Sequence, residues 1–176
     1  IANMFYQPMS AGPQGGVLGS LLAGGSAQDL EARRESMIEF VTAHEVSHQW
    51  WHGLVGSDSR EHPFQDECLA QYSAVLYMQE RYGAERARRE TEQQVTAGYH
   101  MMRLMGGTDA AVDAPVSAFA NPVGYGGVVY GKGPHLYPAL RQLVGDRAFF
   151  DALRGYVSDH RFATAPPRGA SPSFRW

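Results

Sequence analysis

The sequence predicts a mainly α fold built as a single domain. From Asp29 to Tyr82, and again from Ala84 to Met105, the chain is dominated by helix-forming residues, with glycine and proline confined to short breaks. Strand signals are few, and no internal repeat is present. The length of 176 residues, with 44% hydrophobic and 19% charged residues and a formal net charge of -3, suits a globule with one core. The same balance argues against intrinsic disorder and against an electrostatic nucleic-acid binder. No apolar run reaches the length of a membrane span. The lone cysteine, Cys68, cannot form an intramolecular disulfide. The first residues, IANMFYQPMS, lack the basic start and apolar run of a secretion signal.

Residues 1–28 are rich in Gly, Ser and Pro and read as a little extended chain with turns near the N-terminus. A first helix is expected from Asp29 to about Leu54, capped by Ser26 and with Asp29 supplying negative charge to its first turn. The polar stretch 56–63 separates it from a second helix, Gln65 to Tyr82, which Gly83 closes. So short a loop lays the two helices side by side. A third helix is expected from Ala84 to Met105; its charged half, AERARRETE, suits a solvated face and its second half the packed one. Residues 106–133 contain seven glycines interleaved with Phe119, Tyr125 and Tyr130, the mark of a long ordered loop. Helices from His135 to Val144 and from Asp146 to His160 follow, broken by Gly145. A domain over residues 1–163 thus precedes a Pro/Gly/Ser-rich tail, 164–176.

The chemistry lies in His44-Glu45-Val46-Ser47-His48. At about 100° per residue, the two histidines stand one turn apart on one helix face, where both imidazoles can reach a single metal ion. Glu45 is turned aside, near such an ion but not on it, as a general base acting on water would be. Met37, Val41, Trp51 and Val55 fall within about 40° of the histidines on an ideal helix, and Val46, Trp50 and Leu54 lie opposite, so the helix is expected to be buried almost all round. Catalytic zinc sites usually take a third protein ligand and keep a fourth position open. Glu67, at the start of the second helix, is the best candidate; His52, Glu61 and His62 compete with it.

HEVSHQWWHGLVG followed by FQDECLAQYSA resembles the gluzincin aminopeptidase family, the alanyl aminopeptidase and leukotriene hydrolase type of metallopeptidase. The family pattern is H-E-x-x-H, eighteen residues, then Glu within N-E-G-F-A; here eighteen residues separate His48 from Glu67, and Asp66-Glu67-Cys68-Leu69-Ala70 takes the N-E-G-F-A place. A second landmark, Y-E-K-G, is matched by Tyr130-Gly131-Lys132-Gly133. The resemblance, from about Phe40 to Tyr156, implies the helical catalytic lobe of a thermolysin-like zinc metallopeptidase, with other domains of a larger enzyme outside this sequence. It implies one zinc ion held by His44, His48 and Glu67, Glu45 as general base, Tyr130 as hydrogen-bond donor to the oxyanion, and a peptide as substrate.

The chain departs from the pattern upstream. Family aminopeptidases carry G-x-M-E-N, whose glutamate holds the substrate's free amino group; the nearest match, Gly15-Gly16-Val17-Leu18-Gly19, puts Leu18 there. Peptide hydrolysis is therefore better supported than exopeptidase specificity, and an endopeptidase or a non-catalytic zinc domain are the alternatives. Among neighbouring residues, Cys68 is expected to be small core packing, Gln71 a hydrogen-bonding neighbour of a ligand or an ordinary polar position, and Trp50 and Trp51 core wedges. His100 and His135 lack spaced partners and are expected to be structural or surface residues.

Overall fold

The structure, a computed structural model, describes residues 26–166. The expected extended chain near the N-terminus, including Leu18, and most of the expected tail lie outside the described residues. The chain divides into two compact units, Ile1–Glu39 and Phe40–Trp176, and every candidate site residue belongs to the second. Helix dominates the described residues, as expected.

Helix α1 spans Ala27–Ser47. Its start is a reciprocal cap: the Ser26 amide donates to Asp29 Oδ2 at 2.7 Å and the Asp29 amide donates to Ser26 Oγ at 3.2 Å. The Ser26 hydroxyl, which donates to the same oxygen at 2.8 Å, and then the Ser26 amide hold the Asp29 carboxyl below its ordinary range. The helix ends seven residues before the expected Leu54. Past Ser47 the amides of His48, Gln49 and Trp50 turn to carbonyls three residues back, and Ser47 Oγ donates to the Ala43 carbonyl at 2.7 Å. Gly53 then folds over the end of the helix, where a Cβ would stand 2.8 Å from the Gln49 carbonyl oxygen. Trp51 and Val55 therefore leave the helical stripe, and Val55–Gly56 forms strand β1. Nor is α1 buried all round: Met37, Ile38 and Val46 are 43%, 52% and 48% exposed, and Trp50, just past its end, is 50% exposed.

Pro63–Gln65 makes one turn of 3-10 helix, and α2 follows at Glu67–Tyr82. Asp66 caps it, and Gly83, at φ 86°, ends it with its amide bonded to the Gln79 carbonyl. Its first six residues, Glu67 to Tyr72, are all buried. Cys68, Leu69 and Tyr72 join Val129, Tyr137 and Phe149 in one core cluster. Ala74 and Met78, further along the same helix, join Phe40, Ala87 and Val95 in another. Helix α2 is thus the element around which this unit packs.

The expected third helix is present as α3 (Ala84–Glu90), a π-helical turn (Thr91–Thr96) that buries Val95, and α4 (Ala97–Leu104). The glycine-rich stretch 106–133, expected to be a loop throughout, ends in helix instead. Asn121 caps α5 (Pro122–Tyr125) by accepting the Gly124 amide at 2.9 Å, a π-helical segment runs Gly126–Lys132, and a 3-10 turn at Gly133–His135 leads into α6 (Leu136–Val144). Glycine density reads as loop in sequence, but several of these glycines serve close packing. A Cβ at Gly127 would lie 2.6 Å from Met102 Cβ, and one at Gly131 would lie 2.6 Å from the Tyr99 main-chain nitrogen. Helix α7 occupies Asp146–His160 as expected. Strand β2, Ala163–Thr164, pairs in parallel with β1, Val55 opposite Ala163.

Candidate metal centre

His44 lies in the last turn of α1 and is 6% exposed, His48 stands one residue beyond the helix end, and Glu67 opens α2. The side-by-side packing of the two segments brings three ligand atoms together. His44 Nε2 and His48 Nε2 are 3.1 Å apart, and each is 3.3 Å from Glu67 Oε2. A tetrahedral zinc ion with bonds of about 2.0–2.1 Å requires ligand atoms roughly 3.3–3.4 Å apart, so the three atoms nearly span one face of such a site. Among the described residues this is the one group of three or more His, Cys, Asp or Glu side chains that could hold a metal ion.

The donor chemistry agrees with the spacing. In its neutral form His48 uses its Nδ1–H to donate to the Trp51 carbonyl at 3.0 Å, which leaves the Nε2 lone pair aimed at the cluster. His44 Nδ1 and Glu67 Oε2 are buried without a hydrogen-bond partner among the described residues. Burial pushes the Glu67 carboxyl upward, but the facing His44 and His48 imidazoles and the Tyr130 hydroxyl more than reverse this, holding it at about 2. Burial likewise pushes His48 downward, and Glu67 with the Trp51 carbonyl outweighs it, raising His48 to about 9. A divalent cation bound at this cluster would compete with the proton on His48.

Tyr130 sits on the π-helical segment with its ring 5.8 Å from that of His44, centroid to centroid. Burial, then the Glu67 charge, push its hydroxyl well above the usual tyrosine range, so it remains a hydrogen-bond donor. Its position is fixed from three sides. Gln71, buried on α2, donates to the Tyr130 carbonyl at 3.3 Å; Lys132 Nζ pairs with Asp109 at 2.9 Å; Gly131 lies against Tyr99. Gln71 therefore supports the Tyr130 main chain rather than a ligand. Tyr125, one turn earlier, has its ring 5.7 Å from Tyr130, and burial followed by the Glu67 charge raise its hydroxyl to about 12. Sequence reasoning noted Tyr125 only as a loop aromatic; its spacing of five residues from Tyr130 carried no signal while the segment read as loop.

Glu45 is exposed beside His44. Of the competing ligands, His52 turns to Asp66, with Nδ1 3.2 Å from Oδ2, and neither Glu61 nor His62 enters the cluster. Trp51 is partly buried against the core and donates its indole N–H to Ser73 on α2 at 2.9 Å, as a wedge would, whereas Trp50 is half exposed. Cys68 is buried, with Sγ donating to the Val129 carbonyl at 3.0 Å. His100 and His135 are both exposed.

The chain belongs to peptidase family M1: the model of the Peptidase family M1 domain matches residues 20–169. It is similar to the Aminopeptidase N of Lactobacillus delbrueckii subsp. lactis, with 24% identity over 140 residues, covering 74% of this chain and 16% of that protein. The chain thus spans about one sixth of that relative's length. No solved structure matches. Among the described residues no helix is long and apolar enough to cross a membrane.

Proposed function

We propose that this chain carries the catalytic centre of a zinc-dependent peptidase, with one zinc ion held by His44, His48 and Glu67. The observation that carries the reading is the convergence of three ligand atoms within 3.3 Å of one another beside a buried tyrosine that stays protonated. Zinc bound there supplies Lewis acidity toward water and toward a peptide carbonyl. Glu45, exposed to solvent and not a ligand, takes a proton from the attacking water and delivers it to the departing amine. The Tyr130 hydroxyl turns from Glu67 to donate to the oxygen that gains negative charge as the carbonyl becomes tetrahedral. Gln71 and Lys132 hold the Tyr130 segment against the centre.

The substrate is a peptide. Leu18 stands at the nearest match to the amine-anchoring glutamate's place, so peptide-bond hydrolysis is better supported than recognition of a free amino terminus. The similarity to one sixth of an aminopeptidase fits a catalytic lobe that works with other domains of a larger enzyme. Elemental analysis of the purified protein beside its Glu67→Ala variant tests the centre. One zinc per chain, lost in the variant, is expected; a wild type without stoichiometric zinc overturns the reading.

A further inference from the structure

A second polar cluster adjoins the metal ligands. His52 has φ 103°, a conformation that residues with a side chain seldom adopt. Its side chain is 56% exposed, so burial does not force it there. Polar contacts do. Nδ1 lies 3.2 Å from Asp66 Oδ2, and Ser59 Oγ donates to the same oxygen at 2.6 Å while lying 3.2 Å from the imidazole. Ser57 Oγ completes the group at 3.4 Å from Nδ1.

Asp66 is buried, and its other oxygen accepts the Glu67 amide at 3.0 Å. Donors therefore face both carboxylate oxygens. An asparagine, the residue of the family pattern at this place, could keep its oxygen on the Glu67 amide only by turning its NH2 group to His52 and Ser59, which would then have to accept instead of donate. Aspartate here is matched to His52 and Ser59. The cluster also touches the chain on both sides of the centre: Asp66 immediately precedes Glu67, and His52 immediately follows Trp51, whose carbonyl accepts from His48.

We propose that His52, Ser59 and Asp66 form a clamp that sets the spacing between His48 and Glu67, with His52 and Asp66 as positioning residues for the metal centre. The proposal rests on reading His44, His48 and Glu67 as that centre. The main-chain bond from His52 to Val55 shapes the turn after α1, and the side-chain bond to Asp66 fixes that turn against the first residue of α2.

The test uses His52→Gly, which accepts positive φ without a steric penalty, Asp66→Asn, which keeps the side-chain shape, and the variant carrying both. Urea unfolding of the metal-free proteins reads the clamp. The combined variant's unfolding constant should depart from the product of the single effects by about threefold or more. Cobalt titration followed by visible absorption reads the centre. Each single variant should bind cobalt about 10–100-fold more weakly, with a changed absorption band, and His52→Asn should recover part of the affinity because asparagine tolerates positive φ and still donates. Independent effects on unfolding would overturn the clamp whether or not metal binds. Coupled unfolding with unchanged cobalt affinity and absorption would overturn the positioning role. A wild type that takes up no cobalt while the coupling persists would sink the metal-centre reading and uphold the clamp.

Discussion

Replacing Gly131 by alanine tests how the oxyanion donor is placed. A Cβ at that position would stand 2.6 Å from the Tyr99 main-chain nitrogen and 3.0 Å from its Cβ. Ordinary contact begins near 3.4 Å, so the π-helical segment must retreat from α4 by about 0.8 Å. Because main chain and not a flexible side-chain tip opposes the new methyl, the overpacking cost lies toward the upper part of the usual range, about 2–3 kcal/mol. Removing a glycine from a helical segment returns up to about 1 kcal/mol. The net destabilisation is about 1–3 kcal/mol, a fall in Tm of roughly 2–12 °C for a chain of this size. The displaced residue adjoins Tyr130, and a shift approaching 1 Å at a catalytic group costs on the order of 100-fold in rate. Zinc content should be unchanged, since no proposed ligand lies on the segment. Gly126→Ala is the control: it lies on the same segment with nothing within 4 Å of its added Cβ, and should be neutral or slightly stabilising. Thermal unfolding, zinc content and peptide turnover of the full-length enzyme read these outcomes. Gly131→Ala melting as high as Gly126→Ala would refute the argument from close packing.

Four further outcomes follow from the same geometry. Glu45→Gln should keep one zinc per chain while turnover falls about 100-fold or more, and surviving turnover would remove Glu45 as the base. Tyr130→Phe should also retain zinc but lower kcat by about 100–1,000-fold with little change in KM; an equal rise in KM alone would assign the hydroxyl to substrate binding. Met102→Ala, at a side chain 1% exposed beneath Gly127, should cost about 2–5 kcal/mol in urea unfolding, and a loss under about 1 kcal/mol would contradict the packing described for α4. Although His135 is exposed as a residue, the protein packed against one side of its ring partly desolvates it and lowers its pKa, so the unfolded chain binds more protons near and below the ordinary histidine range and stability falls as the pH drops through it; His135→Asn should flatten this part of the stability profile.

The two histidines of the proposed ligand set were legible because their signal is local and periodic: one turn apart, they need only helix geometry to face one ion. Glu67 was chosen over His52, Glu61 and His62 by the family resemblance, and it meets the histidines only where the start of α2 packs beside the end of α1. Helix α7 and the end of α2 were legible for a similar reason, since Gly145 and Gly83 at positive φ are local punctuation. The helix carrying Tyr130 was hidden because glycine reports two different needs, freedom of the backbone and absence of a Cβ. Asn121-Pro122, a capping residue followed by proline at the first helical position, was the available start signal.

The end of α1 was hidden for a different reason. Trp50 to Leu54 are compatible with a helix, but Ser47, the tightened turn and the close approach of Gly53 to the preceding carbonyls redirect the chain toward β1. Helix geometry by itself therefore determined that His44 and His48 could face one metal ion, and the family resemblance singled out Glu67 from His52, Glu61 and His62. Only the tertiary structure decided what surrounds them. The partners of Tyr130, Gln71, His52 and Asp66 are contacts between segments separated along the chain or redirected within it, and their specificity comes from which surfaces the core brings together.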